Sequence, residues 1–371
     1  MPPTIVTAIR KQITGKSMDI HDLPEWSCPL PSSSPDTIRL AHGGGGQLMQ
    51  DLLREIFLPA FSNPFLESMQ DSAVLPTPKG RLAFTTDAYV VQPLFFPGGD
   101  IGSLSIHGTV NDLAMQGATP LYLSASFILE EGLPIETLKR VVTSMARTAK
   151  ACGVRIVCGD TKVVDHGKGD QVFITTTGVG VVPEELELGP HRILAGDRIV
   201  VSGDLGAHGI AVLSTRQGLE FSGNLRSDSA PLHEVVASLI QGGITCHCLR
   251  DLTRGGLASA LNELATASRS AISLEESCIP VSEPVRGACE ILGLDPLYVA
   301  NEGRFVLILP DDQVKTALPI LKAHTVSQYA AEIGRVLRLR EDRSPQVVLK
   351  TPFHTERILD LLSGEQLPRI C

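Results

Sequence analysis

The sequence predicts an α+β fold in two units, and three observations carry that expectation. At roughly 150 residues per domain, a chain of 371 residues is long enough for two. Strand-like and helix-like apolar patterns interleave without the strict alternation of a doubly wound sheet. Residues 183–190, acidic and bounded by Pro183 and Pro190, separate one run of such segments from the next, as a linker does.

Residues 1–36 mix charges with prolines and a serine run and have no period that buries a face, so they are expected to be a disordered extension, with Met18 as an alternative start. Organised sequence begins with a short strand at 37–40, then four glycines and a helix in which Leu48/Met49, Leu52/Leu53 and Ile56/Phe57 recur every four residues. A strand at 81–86 follows, a helix at 101–116 closed by Gly117, a strand at 121–129 and a helix at 134–152 stopped by Gly153. Strands at 155–158 and 171–182 complete the first unit, residues 37–185. The second, 194–350, reads as strand 198–202, helices 207–217, 232–241 and 255–267, strand 271–274, helix 285–292, strands 297–300 and 305–309, helix 312–321, and strands 330–336 and 346–349. Residues 351–371 form a tail expected to be flexible.

Composition removes several function classes. Aromatic residues number 16 of 371, so aliphatic side chains must fill the core and no stacking platform for bases is available. The net charge of -9 argues against a broad nucleic-acid face but leaves room for a small anion held locally. No apolar window is long enough for a membrane span or a signal peptide, and eight cysteines without paired CxxC spacing fit a reducing compartment; the expected location is cytoplasmic. The Cys246-His247-Cys248 triplet lacks a second ligand pair, and small buried residues are the commoner explanation.

Chemistry concentrates at a few places. Gly43, Gly44, Gly45 and Gly46 precede a helix, where backbone N–H groups can close on an anion, although a plain linker has the same composition. Asp87 ends Thr-Thr-Asp on a strand, Asn111-Asp112 lies within a helix, and Asp160 opens Asp-Thr-Lys after a strand. Each aspartate alone reads as a turn or cap residue. Together beside a glycine loop they suit magnesium, and a nucleotide triphosphate approaches clustered carboxylates only with a bridging cation. His107 sits one helical turn before Asn111, and Asn301-Glu302-Gly303, between two apolar runs, reads on its own as a hairpin turn. The chain ends in a cysteine, Cys371.

Ala-His-Gly-Gly-Gly-Gly at 41–46, Thr-Thr-Asp at 85–87, His-Gly-Thr-Val-Asn-Asp-Leu-Ala at 107–114, Gly-Asp-Thr-Lys-Val at 159–163, Ala-Asn-Glu-Gly-Arg at 300–304 and Pro-Arg-Ile-Cys at 368–371 closely resemble the HypE family of hydrogenase maturation factors. The resemblance covers residues 37–371. It implies two PurM-like domains, the fold of aminoimidazole ribonucleotide synthetase, selenophosphate synthetase and thiamine-monophosphate kinase. It also implies ATP and Mg2+ as cofactors, with Gly43, Gly44, Gly45, Gly46, Asp87, Asn111, Asp112, Asp160 and Thr161 holding the nucleotide and Asp87, Asp112 and Asp160 the metal. The reaction implied is carbamoylation of Cys371 by HypF, phosphorylation of the carbamoyl oxygen, loss of phosphate to leave an S-cyanated cysteine, and transfer of cyanide to iron on a HypC-HypD complex. Glu302 and His107 then become candidates for proton removal and Lys162 for neutralising the phosphoryl group. A homodimer follows from the same resemblance.

Two other functions remain open on sequence. One is a kinase or synthetase acting on a free small molecule, for which Cys371 is incidental. The other is a non-catalytic scaffold or metal-delivery protein, suggested by the Cys-His-Cys triplet.

Overall fold

The structure, a computed structural model, describes residues 36–219, 225–339, 344–361, 367 and 369–371. The expected N-terminal extension, apart from Asp36, and part of the tail therefore lie outside the described residues. The α+β architecture is present as two large mixed sheets with helices and one two-stranded ribbon. In chain order the strands are β1 (Arg81–Tyr89), β2 (Phe95–Phe96), β3 (Gly99–Asp100), β4 (Thr119–Glu130), β5 (Arg155–Val164), β6 (Val172–Val182), β7 (Arg198–Val201), β8 (Cys248–Asp251), β9 (Ala271–Glu275), β10 (Phe305–Leu309), β11 (Ala331–Leu337), β12 (Gln346–Lys350) and β13 (Glu356–Ile358). The first sheet has the order β1-β6-β4-β5 and the second β13-β12-β9-β11-β7-β10-β8. Only the β4/β5 and β9/β12 neighbours are parallel.

The two sheets bury differently, and their sequences say why. All five residues of β10 are buried: Phe305, Leu307 and Leu309 join one apolar cluster and Val306 and Ile308 another, so the second sheet is covered on both faces. The first sheet alternates. On β1, Tyr89 is buried while Leu82 and Phe84 are 63% and 72% exposed, which leaves one face open.

The Ile101–Met115 helix joins the two halves. Asp100 caps it, accepting from the Ser103 N–H at 3.0 Å while the Asp100 N–H donates to Ser103 Oγ at 3.0 Å. All fifteen of its residues except His107 and Asp112 are buried, because it packs on β1 and β6 on one side and on β8 and the His233–Gln241 helix on the other. Its two incompletely buried positions, His107 and Asp112, are both candidate site residues.

Four local expectations need correction. Residues 37–40 are not a strand: Thr37 makes only a single bridge to Pro134, and the chain enters a 3-10 turn at Leu40–Gly43. The apolar run 297–300 belongs to a 3-10 turn at Pro296–Tyr298, because Asp295 caps it through the Leu297 N–H. Asn301-Glu302-Gly303 consequently is not a hairpin between strands. The sequence pattern also does not announce the short strands β2, β3, β8 and β13, and β5 runs six residues past Cys158, so Asp160 and Lys162 lie inside a strand.

Candidate active site

Asp87 and Asp112 meet because β1 packs on the Ile101–Met115 helix. Thr85 donates its hydroxyl to Asp112 Oδ2 at 2.7 Å, and Thr85 and Asp87 share the strand face that looks at the helix. One turn earlier on the helix, Thr109 bonds both Tyr89 Oη at 3.3 Å and Thr176 Oγ1 at 2.5 Å, and Thr176 donates to the Ser105 carbonyl. Gly108 makes this contact fit: a Cβ there would stand 2.3 Å from the Tyr89 hydroxyl.

Two further carboxylates enter the same neighbourhood from the second sheet. Asp251, the last residue of β8, pairs in register with Phe305 and is pushed up to about 7 by burial, then by the charges of Asp112 and Asp87. Glu302 is 4% exposed and held well above the usual carboxylate range by burial, then by Asp251, Asp228, Asp87 and Asp112. Its Oε1 is buried without a hydrogen-bond partner among the described residues. The Asp228 carboxylate accepts from the Glu302 and Gly303 N–H groups at 3.3 and 3.2 Å, and Arg304 stands 2.8 Å from Asp204 and 3.7 Å from Asp228, so the turn is rigidly held. Sequence reading missed Asp251. The signal was Asp-Leu-Thr-Arg before the Gly255-Gly256 helix start, a strand-end aspartate obscured by a strand only four residues long.

Desolvated acids fix the sign of a pH effect. The folded chain keeps a proton on Asp251 up to about pH 7, whereas an unfolded chain releases it near about pH 4. This group's stabilisation is complete below the lower value and disappears as pH rises through the upper one. Without nucleotide, the wild-type chain is therefore expected to lose more thermal stability between pH 5 and pH 8 than Asp251→Asn. Scanning calorimetry giving equal pH slopes for the two proteins would contradict this.

The glycine loop assembles with a different group. Gly43 approaches β5 so closely that a Cβ would lie 2.9 Å from the Val163 nitrogen, Gly45 has φ +76°, and Gly46 caps the Gln47–Leu52 helix. Asp160 and Lys162 lie on this same strand, paired with each other at 2.6 Å on the surface, while Thr161 between them is 4% exposed and faces inward. The expected convergence of Asp87, Asp112 and Asp160 does not occur within one chain. Asp160 aligns through Ser126 and Thr175 with Ala88, about 14 Å away at three strand spacings, and this row lies on the open face of the sheet, opposite Asp87. Pleat parity makes the difference, and it applies to Asp160 because β5 continues past Cys158 to Val164.

Asn111 is committed to the frame: its amide donates to the Ala230 and Glu302 carbonyls at 3.1 and 3.2 Å, and its Oδ1 accepts from the Leu232 N–H at 2.8 Å. His107 contacts Ser229 Oγ at 3.0 Å and is pushed down to about 4, chiefly by burial, so it is neutral at physiological pH but a weak base. The Cys-His-Cys triplet is structural: Cys246 and Cys248 enter separate apolar clusters and His247 pairs with Asp197 at 2.7 Å. Cys371 lies against β1's continuation, its carbonyl accepting from the Val90 N–H at 3.2 Å, three residues beyond Asp87. A cavity of about 660 Å³, lined by Thr85, Asp112, Arg250 and Asp251 among others, opens from the carboxylates past Arg81 and Phe84. That volume suits a nucleotide.

The AIR synthase related protein families match both halves, the N-terminal domain at residues 69–182 and the C-terminal domain at 195–343. Carbamoyl dehydratase HypE of Azotobacter vinelandii is 52% identical over 335 residues, spanning 90% of this chain and 97% of that protein. The chain belongs to the carbamoyl dehydratase HypE family. Members of that family are enzymes of hydrogenase maturation. The crystal structure of a HypE in complex with ATP superposes with a TM-score of 0.86 at 48% identity, covering 90% of this chain and 99% of that one. A HypE-HypF complex contains a chain with a TM-score of 0.73 at 43% identity, covering 85% of this chain and 100% of that one. Among the described residues no helix is long and apolar enough to cross a membrane.

Proposed function

We propose that this chain uses ATP to remove water from an S-carbamoyl group on its own Cys371, leaving an S-cyanide for the iron centre of a hydrogenase. The observation that supports this reading is that the Cys371 carbonyl accepts from the Val90 N–H, three residues along the chain from Asp87, whose charge acts together with those of Asp112 and Asp251 on Glu302. When bound, ATP supplies the phosphoryl group that makes the carbamoyl oxygen a leaving group, and Mg2+ neutralises its phosphates. Overall, S-carbamoyl cysteine and ATP give S-cyanocysteine, ADP and phosphate; the carbamoyl oxygen leaves with phosphate and the nitrogen loses both protons.

The residues present fit a cation bound this way. Burial first, and then the charges of neighbouring carboxylates, raise Asp112, Asp251 and Glu302 together, and Glu302 Oε1 has no partner among the described residues. Among the described residues no three such side chains already stand together as a complete metal cage, so phosphate oxygens and water would complete the coordination of Mg2+. Asp87, Asp112 and Asp251 would hold it. Glu302, a carboxylate with a raised proton affinity, takes the proton from nitrogen in preference to the weakly basic His107. Calorimetry should detect Mg2+-dependent ATP binding that is lost in Asp87→Ala and Asp251→Ala; unchanged affinity in both would remove these residues from the site.

The open face of the first sheet supports the homodimer. Leu82, Phe84 and Ile128 on it are 63%, 72% and 42% exposed, and β1 is a sheet edge. Asp160 and Lys162 belong to that face, so a second copy is what can bring them, with the glycine loop, to a phosphate. Light scattering should give about twice the 39.7 kDa chain mass; a particle of one chain mass at micromolar concentration would overturn the dimer. HypF as carbamoyl donor and a HypC-HypD complex as cyanide acceptor complete the proposal.

A further inference from the structure

The last residues of the chain are held by their main chain, and the holding groups lie on elements that the chemistry above does not use. The Val90 N–H donates to the Cys371 carbonyl at 3.2 Å and the Gln92 N–H to that of Arg369 at 3.4 Å, an antiparallel pairing of the kind by which an extended peptide adds to a sheet. From the other side, the Ala207–Gln217 helix supplies two more donors. His208 Nε2 stands 2.9 Å from the Ile370 carbonyl, and Arg216 reaches the Arg369 carbonyl at 2.5 Å and the Gln92 carbonyl at 2.8 Å. Three successive carbonyls are thus claimed by named donors. Ile370 itself is 2% exposed within the main apolar cluster. Leu367 and Val299 fill the space above Gly209, where a Cβ would lie 3.1 and 2.5 Å from them, so the helix is bare where the tail crosses it.

His208 is built for this contact. A carbonyl can only accept, so Nε2 carries the proton, and Nδ1 accepts from the Ser227 hydroxyl at 2.8 Å. The ring meets Phe96 edge-on at 5.4 Å between centroids and is fully buried, which fixes its plane. Burial also lowers its proton affinity, in keeping with a neutral donor.

We infer that His208 is a positioning residue that latches the C-terminal tripeptide Arg369-Ile370-Cys371 into the first domain by its backbone, with Ile370 as the anchoring side chain. The inference rests on the dehydration reading and deepens it, since it identifies what holds the residue that bears the reacting thiol against the segment following β1. Undocked, the Ile370 carbonyl bonds to water; docked without His208, it is buried without a donor, which shifts the balance towards the undocked tail by on the order of tenfold.

The test uses the full-length chain without ATP and limiting iodoacetamide, with alkylation of Cys371 and of the exposed Cys278 followed by peptide mapping. His208→Ala is expected to raise the Cys371 to Cys278 rate ratio about tenfold, while His208→Gln, which keeps an N–H donor, restores it towards wild type. Buried Cys152 reports on folding and should stay unreactive in both. Ile370→Asp, a change in the tail alone, is expected to raise the ratio at least as far. An unchanged ratio in His208→Ala or in Ile370→Asp would overturn the latch, as would an equal rise in the Ala and Gln variants. The readout needs no turnover: if the ratio moves as stated while carbamoylated Cys371 never loses water, the latch stands and the dehydration reading falls.

Discussion

Glu302→Gln is expected to leave carbamoylation of Cys371 and ATP binding intact while slowing loss of water by about 10²- to 10⁴-fold, the usual worth of a general base. The fold has little reason to change. Glutamine is nearly the same shape, and the turn is held by Asp228 through the backbone N–H groups of residues 302 and 303 rather than by the Glu302 side chain. What the substitution removes is a buried carboxylate whose proton affinity burial and four neighbouring acids have raised. For the same reason the wild-type rate should rise with pH as Glu302 ionises, and the variant should lack that limb. Single-turnover mass spectrometry at several pH values decides the matter; a variant within tenfold of wild type with the same profile would remove Glu302 from proton transfer.

Cys371→Ala should abolish cyanation completely while preserving ATP affinity. None of the other six described cysteines is expected to substitute: Cys158, on β5, is half-buried and burial pushes its thiol up. Burial pushes Cys152 and Cys246 up to about 12 and Cys248 and Cys289 up to about 11, so these thiols are both inaccessible and un-ionised. Cys278 is exposed, but it sits on a 3-10 turn of the second domain, away from β1. A nitrile found on Cys278 in the variant would mean that the site accepts any exposed thiol and that the tail is dispensable.

Much of the fold was legible because long amphipathic segments carry their own period: Leu138, Val141, Val142 and Met145 identify the Ile135–Ala151 helix without help. The site was legible only where a motif coincided with such a segment, as for Asp87 on β1 and Asp112 on its helix. Asp251 was hidden because β8 is a four-residue strand whose identity depends on pairing with β10, fifty-four residues later at Phe305. The face that Asp160 occupies was hidden for a related reason, since it follows from the pairing of β5 with β4 rather than from local composition. The apolar run ending at Ala300 misled in the opposite direction, because Asp295 and Pro296 start a 3-10 turn there. His208 gave no sign at all. Its partner is 162 residues away, and a histidine on an apolar helix face looks like any buried one.

The most direct test is the mass of the full-length chain after carbamoylation, measured before and after ATP and Mg2+ are added and followed by peptide mapping. The account predicts loss of one water per chain, confined to the peptide ending in Cys371 and accompanied by one ADP. A carbamoyl group that persists while ATP is hydrolysed, or a water loss that maps to any other residue, would contradict it.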